Sequence, residues 1–475
     1  MKTGSLVIII ALAVLISSGA GRNRTDDRLP QNIPDIPASI PAALQPYQNV
    51  RSAVLLGWLS KDKSILVKTR FGETSQIHWV DQPKAMRRQL TFFEDPIGEC
   101  AVCPDPRNAS FLFTKDSAGN EVDQIYLYDL DRGTCARLSD GKAKYGGVVW
   151  SRKGDRFAFR SNRRNERDYD IYIGDVRGKA SFKPLVERGG YWYPVEFSSD
   201  DRKLLAKKYI SSDESYYYIV DVATRSVTVL HDDTAKVAYG TARWSQDSKG
   251  IYIVADRFAD HKQLLYYDLQ AKKYDVLSKQ ISWDIEEVEI ASSGKIVAFT
   301  ANEDGMSRLY LMDAVTRSLT RANLPDGQIF SLEFRPNGDE LAFSLNSATA
   351  PSDVYTLNLK SKTFMRWTYS ELGGLDADAF GTPKLIRYET FDSLDGKPRT
   401  ISAYYYEPRK TKGPHPVLID CHGGPAVQER PFFSSMFQFY LAEMGIAIIA
   451  PNIRGSTGYG RAFMMLDDGY KREDA

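Results

Sequence analysis

Two glycine loops near the end of the chain carry the residue types and spacing best suited to chemistry. The first is His422-Gly423-Gly424-Pro425. Consecutive glycines leave backbone N–H groups unobstructed, which suits an oxyanion hole, where donors are fixed at the point a carbonyl oxygen takes on negative charge. A tight turn would use the same two glycines, and the loop alone does not separate the two uses. The second loop is Arg454-Gly455-Ser456-Thr457-Gly458-Tyr459-Gly460-Arg461. Gly455 and Gly460 have the G-x-x-x-x-G spacing of a phosphate loop. However, Arg461 stands where that loop requires Lys, and Ala462 where a hydroxyl would hold magnesium. No nucleotide is expected as a partner.

Other candidates carry less. Cys100 and Cys103 form a C-x-x-C without the second pair that a zinc site would want, since Cys135 and Cys421 stand apart. Buried thiols or one local disulfide are expected there. Glu286 and Glu287 have the charge to grip a substrate amine but lie in the strand-like WDIEEVEI, so a solvated face is expected. Arg163, Arg164 and Arg167 crowd what reads as a hairpin tip. His78, His231 and His261 show no ligand spacing, and neither a metal nor a cofactor is expected. Acyl transfer on an α/β-hydrolase fold needs a G-x-S-x-G serine followed by an acid and then a histidine. No G-x-S-x-G occurs in these 475 residues, and His415 and His422 precede the place where such a nucleophile would stand.

The glycine loops end apolar runs, HPVLID and IAIIAPN, with the helix-spaced SSMFQFYLAEMG between them. Strand, helix, strand with continuous apolar strands marks a parallel pair, and α/β sheets place their sites at this end of the strands. Just upstream, LIRYETFDSLDGKPRTISAYYYEP reads as two alternating strands joined at Asp395-Gly396.

Before Glu371 the pattern is different and periodic. A short strand closes on Asp81, Asp129, Asp175, Asp221, Asp268, Asp313 and Asn358, in steps of 45 to 48 residues. A second marker, mostly bulky and apolar, keeps the same step at Trp58, Cys103, Trp150, Phe197, Trp244, Ile290 and Phe334. Another apolar strand lies between the two markers each time, as in RFAFRS and ELAFSL. Units of three or four short strands at this period cannot bury both faces alone and must stack around an axis as a propeller.

The rest of the composition sets bounds. Lys and Arg total 62 against 61 Asp and Glu, so charge gives no reason to expect nucleic acid as a partner. Lys2, the apolar run Leu6 to Ile16, and Ser18 and Ala20 before Gly21 have the three-part form of a secretory signal. An exported protein is expected, with an uncleaved membrane anchor as the alternative.

The repeats resemble TolB-like and prolyl-oligopeptidase-type propellers, with WSRKGDRFAFRS…YDIYIGD the nearest copy. DCHGGP followed by APNIRGSTGYGRAF is similar to the catalytic domain of the prolyl oligopeptidase family of serine peptidases. The likeness is greatest to its acylaminoacyl-peptidase and bacterial dipeptidyl-peptidase branches. The resemblance implies an all-β seven-bladed β-propeller followed by an incomplete α/β-hydrolase domain. The boundaries are signal peptide 1–20, linker 21–50, propeller 51–370 and hydrolase part 383–475. It also implies that the amide of Gly424, and secondarily that of Gly423, binds the oxyanion. His422 stands where the dipeptidyl-peptidase-IV-like branch has a tyrosine, so no side-chain role carries over. The Arg454 loop is implied to be structural.

Peptides are the substrates that the resemblance implies, with the nucleophile, acid and base beyond Ala475 and this chain inactive alone. A propeller-based exported binding protein with a hydrolase remnant, or a lipase or esterase, are the alternatives. A sheet cut at this point would leave PVLID as an unpaired edge, and the segment from Leu385 onward poorly stable by itself.

Overall fold

The computed structural model describes residues 35–474 except 62, 177–180, 232–234, 337 and 425. The expected signal peptide falls outside the described residues. The chain divides into two units, Met1–Ala42 and Ala43–Ala475. Within the segment read as a linker, Ser39–Gln48 form a helix, α1. The propeller and the mixed sheet that follows it both lie in the second unit.

Seven sheets of four antiparallel strands form the blades, each running in chain order from its first strand to its fourth. Blade 1 runs from Val54 to Gln89, blade 2 from Cys100 to Arg137, blade 3 from Tyr145 to Val186 and blade 4 from Tyr191 to Val229. Blade 5 runs from Tyr239 to Val276, blade 6 from Ile285 to Arg321 and blade 7 from Gln328 to Arg366. The acidic marker closes the third strand, and its carboxylate explains why it recurs. Asp221 Oδ1 accepts from the N–H groups of Ala223 and Thr224 at 3.1 and 2.7 Å. Asp268 and Asp313 do the same for the two residues after their next neighbour, and Asn358 uses its side-chain carbonyl in the same way. The side chain thus builds the turn into the fourth strand.

The bulky marker ends the first strand and joins blades. The indole N–H of Trp150 donates to Ala101 O of blade 2 at 2.9 Å, and that of Trp244 to Glu196 O of blade 4 at 3.1 Å. Trp58 makes the equivalent bond to Glu333 O at 3.2 Å and so closes blade 1 onto blade 7. The same seam holds the Trp58 N–H on Glu333 Oε1 at 3.2 Å and the Leu55 N–H on Ser344 Oγ at 2.9 Å. Leu55, Trp58, Val67, Ala342, Val354 and Trp367 pack into one buried cluster there. The ring therefore closes by packing and hydrogen bonds between blades 1 and 7.

After the propeller, Lys384–Leu394 and Lys397–Tyr406 form the antiparallel hairpin read from the sequence. Asp395 and Gly396 take φ of 53° and 74°, the left-handed pair such a two-residue turn requires. The Ala447–Pro451 strand pairs antiparallel with Lys397–Tyr406 and parallel with Val417–Ile419. The parallel pair is connected through helix α2, Ser435–Glu443, whose N-cap Ser434 accepts from the Phe437 N–H. Val417–Ile419 is the sheet's edge strand, and these residues are 53%, 37% and 64% exposed.

Candidate functional site

The His422 loop leaves the C-terminal end of the Val417–Ile419 strand, where the Asp420 N–H is held by Ile449 O at 2.9 Å. Gly424 has φ of 135°, and a β-carbon there would meet Val427 Cγ2 at 2.9 Å and Ala426 N at 3.1 Å. The loop therefore needs glycine at 424, whereas a β-carbon at Gly423 would meet nothing within 4 Å. Both glycines are exposed, and neither N–H donates to another described residue.

His422 fixes the loop from the other side. Its Nε2 lies 2.8 Å from Ser456 Oγ, which sequence reasoning did not foresee. This contact has the look of a nucleophile and its base, but Ser456 is fully buried and its hydroxyl lies 2.6 Å from Ile453 O. His422 Nδ1 lies 3.0 Å from Gly423 O, so the ring and the buried serine together tie the two glycine loops to one another.

The Arg454 loop is a structural element. Arg454 is buried, donates to Asp392 Oδ1 at 2.6 Å, and lies 4.0 Å from the centre of the Phe391 ring. The position that departs from a phosphate loop, Arg461, reaches the propeller instead. Its guanidinium bonds Asp213 Oδ2 of blade 4 and Asp256 Oδ2 after the second strand of blade 5, each at 3.1 Å. Its backbone N–H meets Asp260 O at 2.9 Å, and the next N–H, of Ala462, meets Asp260 Oδ1 at 2.7 Å. On blade 6, Arg430 bonds Glu286 Oε1 at 2.7 Å, Gly305 O at 2.9 Å and Ser307 Oγ at 2.9 Å. Tyr404 OH donates to Asp304 O, and Gln438 Nε2 to Ala348 O of blade 7. Blades 4 to 7 thus form the platform that holds the mixed sheet.

The solvated-face reading of Glu286 and Glu287 is overturned. Glu286 pairs with Arg430 across the two parts, and Glu287 accepts from the Ser331 and Leu332 N–H groups of blade 7. The arginine cluster is a hairpin tip, with Arg164 bonded to Asp168 and Asp170. All four cysteines are free, with Cys103 buried, Cys100 half-buried and the other two exposed. Burial pushes the Cys100 and Cys103 thiols up. His78 and His261 sit in blades 1 and 5 and His231 just after blade 4, and among the described residues no group of three or more potential ligands gathers to hold a metal.

A further residue near the loop escaped sequence reasoning. Glu429 is 8% exposed, and its N–H is held by Asn452 Oδ1 at 2.8 Å. Burial and the nearby Asp420 push its carboxyl up to about 7. Nothing in a single glutamate after a glycine loop signals this, because its partner Asn452 lies 23 residues further along the chain.

The family of the prolyl oligopeptidase N-terminal β-propeller domain matches residues 97–368. The chain belongs to the prolyl oligopeptidase family. It is similar to dipeptidyl-peptidase 5 of Porphyromonas gingivalis, 24% identical over 85% of this chain and 59% of that protein. Prolyl oligopeptidase A of Galerina marginata is 26% identical over 24% of this chain and 16% of its own length. The chain thus spans about 59% of the length of the dipeptidyl-peptidase 5 relative.

Solved structures share the fold. A prolyl endopeptidase studied for inter-domain dynamics superposes with a TM-score of 0.78 at 15% identity, covering 93% of this chain and 67% of that one. Prolyl oligopeptidase B of Galerina marginata, bound to a 35-residue hydrolysis and macrocyclization substrate, gives 0.75 at 15% identity, covering 90% and 65%. The family's fold corresponds to the seven blades and the partial hydrolase sheet seen here.

Proposed function

We propose that this chain is the propeller and leading hydrolase part of a serine peptidase that cleaves peptides by acyl transfer. The observation that carries the reading is the Gly423-Gly424 loop. Neither N–H donates to another described residue, the loop leaves the C-terminal end of a parallel strand pair, and that pair is held over the propeller by Arg461 and Arg430. Free backbone donors at this edge are suited to a carbonyl oxygen that gains negative charge. Gly424 is assigned as the first donor and Gly423 as the second. Family membership and the dipeptidyl-peptidase 5 relative support peptides as the substrate class. Export through the N-terminal segment is part of the same reading.

The chain holds no G-x-S-x-G, so by itself it is expected to hydrolyse neither peptide amides nor lipid esters. The test adds aminoacyl and dipeptidyl chromogenic amides and a lipid-ester reporter, first to this chain and then to the polypeptide extended by whatever the gene encodes after Ala475. Amide cleavage that appears only on extension supports the proposal. Ester cleavage without amide cleavage points to an esterase, and no activity in either points to a binding protein.

A further inference from the structure

The first strand of blade 4 begins on the side of the propeller that faces the mixed sheet. Tyr191 pairs with Tyr209 across that blade, and Tyr209 stands four residues before Asp213, which grips Arg461. Four tyrosines gather on this rim. The Tyr191 ring centre is 4.7 Å from that of Tyr169, 6.1 Å from that of Tyr193 and 6.3 Å from that of Tyr209. Tyr191 is 36% exposed and Tyr209 42%, beside Ile210 at 48%. These rings add little to the core, which Trp192 and Phe197 of the same strand supply at 2% and 0% exposure.

Their base is rigid. The Tyr169 N–H bonds Gly190 O at 2.9 Å and the Trp192 N–H bonds Tyr169 O at 3.0 Å, so the backbones of blades 3 and 4 are stitched together directly beneath the rings. The Arg160 guanidinium lies 5.6 Å from the Tyr191 ring centre. Arg160 also lines a channel cavity of about 580 Å³ with Lys68, Glu99 and Asp123. The cluster therefore stands at the rim between the channel and the platform for the hydrolase part.

Aromatic rings held in place lose little entropy on binding and take offset or edge contacts from another ring, and an adjacent guanidinium adds donors for peptide carbonyls. We propose that Tyr169, Tyr191, Tyr193 and Tyr209, with Arg160, form a propeller-borne subsite for an aromatic side chain of an extended peptide. This rests on the peptidase reading, from which it takes the peptide.

The test uses the full chain and capped, fluorescein-labelled hexapeptides of Ala and Gly with Trp, Leu or Ala at the central position, followed by anisotropy. The Trp peptide is expected to bind at least tenfold tighter than the Ala peptide. Tyr191→Ala with Tyr209→Ala should bring it to the Ala value, while Phe258→Ala, at an exposed ring on blade 5, should leave the preference intact. Both tyrosines are surface residues, and near-UV circular dichroism of the double variant checks that the blades are unchanged. Peptides that bind equally whatever the central residue, or a preference that survives the double substitution, overturn the subsite and leave the peptidase reading standing. A chain that binds none of the peptides also overturns the subsite, while the peptidase reading is decided separately by amide cleavage on the extended polypeptide.

Discussion

Glu333 sits at the seam where the ring closes, and its protonation should be readable in the pH dependence of stability. Its carboxyl accepts the Trp58 N–H at 3.2 Å. Burial pushes it up to about 8; the Trp58 N–H pulls it down, Glu289 pushes it up, and Arg243 pulls it down. An unfolded glutamate titrates near 4.3. Between those values the folded ring holds a proton that the unfolded chain has released. The stability from this group is therefore full below the unfolded value, falls as pH rises through the window, and is least above about 8.

The slope is about 1.4 kcal/mol per pH unit for one proton. Because the carboxyl lines a channel open to water, about 2–4 kcal/mol across the window is the expected total. Glu333→Gln keeps an acceptor for Trp58 and has nothing to titrate. Urea unfolding followed by tryptophan fluorescence, at steps from pH 5 to pH 8, should show the variant gaining on the wild type as pH rises. A gap that stays constant over that range refutes the argument, since it would mean the carboxyl is already ionised in the folded ring.

Four further outcomes follow from the same contacts. Trp58→Phe removes one interblade hydrogen bond at the closing seam and should cost about 1–2 kcal/mol in urea unfolding. Arg461→Met leaves Asp213 and Asp256 facing one another and should weaken docking of the mixed sheet by about 2 kcal/mol, roughly thirtyfold in its open population. Limited trypsin digestion should then cut the stretch after Leu385 faster while the blades stay intact. Gly424→Ala forces a β-carbon against Val427 at an unfavourable φ, so amide exchange should quicken at 422–428 by an amount matching about 1–2 kcal/mol, without a change in the propeller. A thiol reagent should label Cys135 and Cys421 in the folded chain, and Cys103 only after denaturation.

Much of the fold was legible because its markers have local causes. Asp221, Asp268 and Asp313 at third-strand ends build the next turn with their own carboxylates, and three of the tryptophans hand an indole N–H to the preceding blade. Interactions of this kind recur in several blades, so they leave a period in the sequence. The fourth strands left little trace because they are short and largely exposed, as Arg88–Gln89 and Thr134–Arg137 are. Only backbone pairing with the third strand defines them.

The candidate site was legible only in its glycines. Gly424 takes a φ that asks for glycine, and this could be suspected from residue type alone. The partners of the loop could not, since His422 meets Ser456, Arg461 meets Asp213 and Arg430 meets Glu286 across separations of 34 to 248 residues. Glu286 was misread for that reason: an acidic strand residue looks solvated until the arginine that covers it is known.

Whether this chain is part of an acyl-transferring peptidase is decided by the coding sequence immediately after Ala475. A helix and a strand leading into G-x-S-x-G, with an acid and then a histidine further on, are expected there. A stop followed by nothing of that kind, in any frame, would contradict that expectation and leave a propeller-based binding protein as the better reading.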